Sequence, residues 1–260
     1  MDYLVNLIND APFFLIVFFR VGGILFFAPV FDNAHIPVVV RVAIAFVTAF
    51  LIFPVMHKGI SPLPQSLIHY GIILVKEIAI GAVIGFAASL VFTIFTMAGN
   101  FISNQIGLDM AVVVDPSSVT GEQQTTISVF FNMIAVLLFL NFNGHHWFVK
   151  AIAESFKMIP LGTVGFSTAT LTKMLIIFKS VFVAGFKISA PILVVLMMTL
   201  IALGFMAKTA QELQIFVLAF PIKIMIGMVL LIVTFSYILK IMKMHLSTIE
   251  NNIVSLLLTM

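Results

Sequence analysis

Six long apolar stretches limit what this chain can fold into: Ala11–Phe31, Ile36–Met56, Ile72–Met97, Ile127–Phe142, Leu175–Met206 and Ile215–Leu239. A helix that crosses a bilayer needs about 20 mostly apolar residues, and five of the six reach that length. Extended strands would show alternation, and barrel strands are about ten residues long. These runs show no alternation and are longer, so the pattern predicts helices. The remaining residues cannot clothe such helices in water. Only 9% of the 260 residues are charged and 62% are hydrophobic, against about 25% and 45–50% in soluble domains. The expected fold is therefore all-α: a polytopic membrane protein of about six apolar helical segments in helical hairpins. It is read as one membrane unit over residues 1–260, with hairpins at about 11–56, 72–142 and 175–239.

The breaks between segments are plain. Asp32-Asn33-Ala34-His35, between Pro29 and Pro37, makes a tight turn, and His57–Pro64 is a loop. Asn100–Thr126 is long, polar and glycine-containing. Trp147–Ile159 predicts a short amphipathic helix stopped by Pro160, followed by a loop at Leu161–Gly165. Two segments have unusual lengths: Ile127–Phe142 is short for a span, and Leu175–Met206 is long and contains Lys179, Lys187 and Pro191. Lys58, Lys150, Lys157, Lys173, Lys240 and Lys243 fall in the even-numbered loops or the C-terminal end, and only Lys208 falls in an odd-numbered one. The positive-inside rule then puts both termini in the cytoplasm. The first charges are Asp2 and Asp10, not the basic start of a cleaved signal, so the N-terminus is expected to be retained.

Several charges lie where lipid would not tolerate them. Arg20 sits near the middle of the first segment and should face protein or water, because a central Arg costs roughly 2.5–3.5 kcal/mol in a lipid-facing helix. Arg41 is near the start of the second. Lys76 and Glu77 are adjacent, about 100° apart on a helix, so they cannot pair with each other, and each needs a partner on another helix or chain. Lys179, Lys187 and Lys223 are further cations inside apolar segments. Gly81 and Gly85 form a GxxxG pattern that lets helices approach closely, and Gly22-Gly23 and Gly227 fit the same idea.

Chemistry-bearing motifs are missing. The chain has no cysteine. His145-His146 are adjacent rather than spaced to share a helix face, as metal ligands on a helix are. Ser117 and Ser118 have no nearby base. GxSxG, HExxH and phosphate-binding glycine loops are absent. No catalytic, cofactor or metal site is expected, and the scattered cations make no nucleic-acid patch. The segment Asn104–Gln124 is too short to span and too apolar to lie free. It would be a re-entrant or surface-lying segment, or pack in a protein cavity or pore, where non-helical backbone at membrane depth is tolerated.

An ordered set of short motifs runs along nearly the whole chain. Phe19-Arg20-Val21-Gly22-Gly23 comes first, followed by Pro29, Pro37 and Arg41, then Lys76-Glu77 with Gly81 and Gly85. Gly99, Gly107 and Asp115-Pro116 precede Asn143-Gly144-His145, Ser155-Phe156 and Pro160. Ala190-Pro191, Gly204, and Phe216 with Pro221 close the series. In this the chain resembles the FliR family of flagellar type III export-gate proteins and their injectisome counterparts. It departs from the family after Ala207, where an Arg, a Pro-Gln pair and an Asn are common and this chain has Lys208, Gln211-Glu212 and Gln214. Met110 and Val113 stand where relatives can carry Phe.

The resemblance implies a non-enzymatic gate subunit in the bacterial inner membrane, within the flagellar basal body. It would assemble with FliP-like and FliQ-like subunits, beside FlhB-like and FlhA-like components, around a path for unfolded proteins. The loop at about 104–124 would plug the pore through Gly107, Leu108, Met110, Val112, Val113, Asp115 and Pro116. Arg20, Arg41, Lys76, Glu77 and Lys208 would be assembly contacts. Two rival readings remain: a small secondary transporter using Lys76, Glu77 and Lys187, against which the absent internal repeat counts, and an intramembrane enzyme.

Overall fold

The computed structural model describes residues 2–28, 36–56, 66–108, 125–162, 167–209 and 215–260. All the regular structure among them is helical: α1 (Asp2–Phe27), α2 (Val38–Met56), α3 (Leu67–Ile106), α4 (Thr126–Asn141), α5 (Gly144–Met158), α6 (Thr168–Thr209), α7 (Ile215–Ser247) and α8 (Ile249–Leu257). The apolar segments thus become helices, and several outrun the apolar stretch that announced them. Three of them, α3, α6 and α7, hold stretches long and apolar enough to cross a membrane. The added turn of α3 at Leu67–Gly71 is exposed except for the half-buried Tyr70. The short amphipathic helix after residue 143 is present as α5.

The chain divides into two compact units. One comprises Met1–Leu90, Phe142–Phe178 and Thr248–Met260, and the other Val91–Asn141 and Lys179–Ser247. In the first, α1 and α2 form an antiparallel hairpin. Phe14 meets Phe46 and Phe53 edge-on at 5.3 and 5.8 Å between ring centroids, and Phe18 meets Phe46 at 6.2 Å. The early part of α3 runs parallel to α1, with the Tyr70 hydroxyl donating to the Pro12 carbonyl at 2.7 Å. Helix α5 buries Phe148, Ala151, Ile152, Ser155 and Phe156 along one stripe, the spacing an amphipathic helix needs. Helix α8 packs on it with Ile249, Ile253 and Leu256 buried. The C-terminal end is tied down as the Ser167 and Thr170 hydroxyls both donate to the Thr259 carbonyl, at 2.8 and 2.7 Å.

In the second unit, α3 and α4 run antiparallel. Gly99 lies against the backbone of Ser128, where a Cβ would come within 2.5 Å of the Ser128 Cα, and Phe92 meets Phe139 at 5.5 Å. Phe130 of α4 stacks near Phe235 of α7 at 6.2 Å. Helix α6 buries only one stripe in this unit, Val181, Ala184, Ile188, Ile192, Leu196 and Leu203. It passes through Pro191, which has no N–H to offer the Lys187 carbonyl one turn back.

Candidate functional site

The charges of the first unit converge on one buried cluster. Arg20 and Glu77 are both fully buried and form an ion pair, Arg20 Nε donating to Glu77 Oε2. The parallel course of α1 and α3 brings them together, an arrangement that 57 residues of separation conceal in the sequence. Arg20 Nη1 also donates to the carbonyls of Ser155 and Ile159, at 3.2 and 2.9 Å. Ser155 is in the last turn of α5, the end where a helix carries partial negative charge, and Ile159 is the residue just beyond it, whose own N–H also donates to the Ser155 carbonyl at 3.0 Å. The guanidinium lies 4.5 Å from the centre of the Phe156 ring, within cation–π range. The second oxygen of Glu77 accepts the Gly162 N–H at 2.9 Å. Gly162 has φ +80°, a conformation glycine adopts without strain, and it turns that N–H toward the carboxylate.

One cation and one anion therefore fasten α1, α3, the end of α5 and the turn beyond it. A charge removed from water is tolerated only when paired and hydrogen-bonded, and Arg20 Nε and Nη1 and both Glu77 oxygens find partners within the chain, while Arg20 Nη2 is buried without one. Arg20 faces protein, and the partner that Glu77 requires on another helix is Arg20. Ser155, Phe156, Ile159 and Gly162 complete the cluster. The carbonyls have no signature in a sequence. The signals available were the amphipathic stripe of α5, the Ser155-Phe156 and Pro160 motifs, and the turn at Gly162.

The glycines explain how α1 and α3 come this close. A Cβ on Gly81 would overlap the Arg20 carbonyl oxygen, one on Gly85 would sit 2.5 Å from the Ile24 carbonyl, and one on Gly23 would sit 2.8 Å from the Ile78 carbonyl. These obstacles are backbone atoms, which cannot step aside. Gly22 faces open space.

The long loop after α3 is rooted at both ends. Gly107, with φ +88°, closes α3 and donates its N–H to the Ser103 carbonyl at 2.8 Å. Thr125, just before α4, donates its hydroxyl to Asn100 Oδ1 at 2.9 Å and accepts the Ser128 N–H at 3.2 Å, capping the helix. Both roots therefore sit on the final turns of α3. Leu108 is half-buried beside this root. Met110, Val112, Val113, Asp115 and Pro116 lie outside the described residues.

The other expected site residues lie apart from the buried pair. Lys76 is half-buried beside Glu77, and Lys208 is exposed near the end of α6. The Arg41 guanidinium lies 5.9 Å from the Phe26 ring. Lys187, the third residue of the transporter reading, is exposed on α6 in the other unit. Among the described residues no group of three or more His, Cys, Asp or Glu is placed to hold a metal.

Long apolar helices, a buried cation compensated inside the protein and glycine-mediated helix contacts define the class: an all-helical, polytopic membrane protein. Comparison with known families narrows this. Residues 11–249 match the family described as bacterial export proteins, family 1. The flagellar biosynthetic protein FliR of Bacillus subtilis (strain 168) is 31% identical over 244 residues, covering 92% of each chain. Its counterpart in Pectobacterium carotovorum subsp. carotovorum is 28% identical over 227 residues, 87% of this chain and 85% of the relative. That of Escherichia coli (strain K12) is 28% identical over 212 residues, 82% and 80%. The chain belongs to family 1 of the bacterial export proteins and is a membrane component of the flagellar export apparatus.

Proposed function

We propose that this chain is a non-enzymatic subunit of the export gate in the bacterial inner membrane. It assembles with FliP-like and FliQ-like subunits, next to FlhB-like and FlhA-like components, and helps to close the path taken by unfolded flagellar proteins. The observation that carries the reading is the family match across residues 11–249 together with FliR relatives aligned over most of their own length. Physical features support it. Phe182, Phe186, Val194, Met198 and Ile201 on α6, and Met225, Val229, Ile232 and Val233 on α7, are exposed, so much apolar surface is available to lipid or to neighbouring subunits.

The proposed plug lies within the stretch 104–124, of which residues 104–106 form the end of α3. Gly107 and Thr125 hold its two roots on α3, so its reach is set by a fixed base. Met110 and Val113 would supply flexible and branched apolar side chains to fill a gap. Arg41, Lys76 and Lys208 are the proposed direct assembly contacts. Arg20 and Glu77 would serve assembly by holding the shape of the first unit.

The test is deletion of Gly107–Val113 in a secreting strain, with substrate export and ion leakage both measured. The proposal expects leakage to rise and export control to change. Unchanged leakage together with unchanged export would reject the plug. Co-purification of the intact chain with its FliP-like and FliQ-like partners tests the assembly separately. A stable chain that moves solute alone in vesicles would favour the transporter reading.

A further inference from the structure

The two roots of the loop between Gly107 and Thr125 are held by different means. The second root needs only α3 and α4: Thr125 is hydrogen-bonded to Asn100 and caps α4. The first root is Gly107, and a glycine does not hold its own conformation. Without a Cβ it populates positive and negative φ about equally. The direction in which the chain leaves α3 has to be set by what packs on that residue. One hydrogen bond, from the Gly107 N–H to the Ser103 carbonyl, does part of this. The rest comes from α7.

Two consecutive residues at the end of α3 meet α7. Ile106 is fully buried and fills the notch left by Gly227, where a Cβ would come within 2.5 Å of the Ile106 Cγ1 and 2.7 Å of its Cδ1. Gly107 is buried under the ring of Phe220, and a Cβ there would meet the ring carbons Cε2, Cδ2 and Cζ at 3.0, 3.6 and 3.9 Å. Phe220 and Gly227 are separated by about two turns, or about 10 Å, along one face of α7, so that face grips both residues. Pro221 follows Phe220 inside α7 and removes one helical hydrogen bond from this turn. The place of the ring over Gly107 therefore depends on the seating of Ile106 at Gly227. Phe220 is 36% exposed, whereas Phe131 in the core of the same unit is fully buried, so truncating Phe220 takes less from the stability of the unit.

We propose that Phe220 is a positioning residue for the loop. With Ile106 seated in the Gly227 notch, its ring pins Gly107 and so aims the chain that follows. The proposal rests on the reading of that loop as a plug, and adds that α7 sets where the plug stands.

The test uses the full chain co-purified with its partner subunits. Hydrogen exchange of peptides covering residues 103–108 reports the root directly, and ion leakage of the complex in vesicles reports the consequence. Phe220→Ala should raise both several-fold, with co-purification and unfolding temperature close to the parent's. Phe220→Tyr, which keeps the ring, should restore both, and Met225→Ala, a truncation at a site on α7 that is 70% exposed, should change neither. If Phe220→Ala does not assemble, Phe220→Leu, which keeps apolar volume without the flat ring, takes its place. Exchange at the parent's level would show that Phe220 does not pin Gly107 and would overturn the proposal, whatever the loop does. Faster exchange without leakage, where deletion of Gly107–Val113 does leak, overturns it and leaves the plug standing. If the deletion does not leak either, the plug reading fails and takes this inference with it. A cross-link checks the grip of α7 independently. The chain has no cysteine, and a Cβ on Gly227 would lie 3.4 Å from the Ile106 Cβ, close to the separation in a disulfide. Ile106→Cys with Gly227→Cys should therefore cross-link in the complex under mild oxidation, and failure to do so would also overturn the proposal.

Discussion

Replacing Arg20 by Met should be among the most damaging single changes in the first unit, and the damage should depend on Glu77. The substitution keeps most of the side-chain volume and removes the charge. It leaves Glu77 fully buried with the Gly162 N–H as its remaining donor, and it takes a donor from the Ser155 and Ile159 carbonyls. Breaking a buried pair by removing one partner costs about 3–5 kcal/mol. The Ile159 carbonyl, left without this donor, adds about 1–3 kcal/mol where water cannot reach it, while the Ser155 carbonyl keeps the Ile159 N–H at 3.0 Å; such costs overlap. A loss of about 4 kcal/mol corresponds to a fall in Tm on the order of 10 °C for a chain of this size. The pair itself is isolated by a double-mutant cycle. Glu77→Leu alone strands the Arg20 cation, and Arg20→Met with Glu77→Leu strands neither charge. The double variant should therefore be more stable than the sum of the single losses implies, by about 2 kcal/mol or more, because neighbours in one network are not additive. Thermal unfolding of the purified chain in one detergent, for all four proteins, gives the cycle. Additive losses within about 0.5 kcal/mol would refute the pairing as the source of the stability. Arg20→Lys should recover little, since an ammonium cannot reproduce the spread of donors by which guanidinium reaches three acceptors and faces a ring.

Other substitutions test the same structure elsewhere. Gly81→Ala should destabilise by about 2 kcal/mol or more through overpacking, since the added Cβ meets the Arg20 backbone; the same change at Gly22, which faces open space, should not, and thermal unfolding separates them. Gly107→Ala forces a positive φ on a residue with a Cβ and should cost about 1–2 kcal/mol, seen as faster proteolysis or hydrogen exchange at the loop root. Thr125→Ala removes the cap of α4 and its bond to Asn100 and should cost about 1 kcal/mol, read in the same way. Glu154→Ala, which breaks the exposed pair with Lys150 at 3.8 Å, should change the unfolding temperature by less than a degree or two, because surface pairs contribute about 0–1 kcal/mol.

The helical membrane architecture was legible because it follows from solvent. Long apolar runs with few charges have one stable solution in lipid, where the backbone must satisfy itself, and that constraint acts residue by residue along the sequence. The amphipathic α5, the stop near Pro160 and the close-approach glycines at Gly81 and Gly85 were legible for the same reason: they are local patterns. The need of Arg20 and Glu77 for partners was also visible. What satisfied them was not, because it depends on α1 and α3 running parallel and on where the last turn of α5 points its carbonyls. Those acceptors belong to the backbone, which every residue carries alike. Only the folded arrangement decides which carbonyl meets which cation, and so turns an awkward charge in an apolar helix into the fastening of a whole unit.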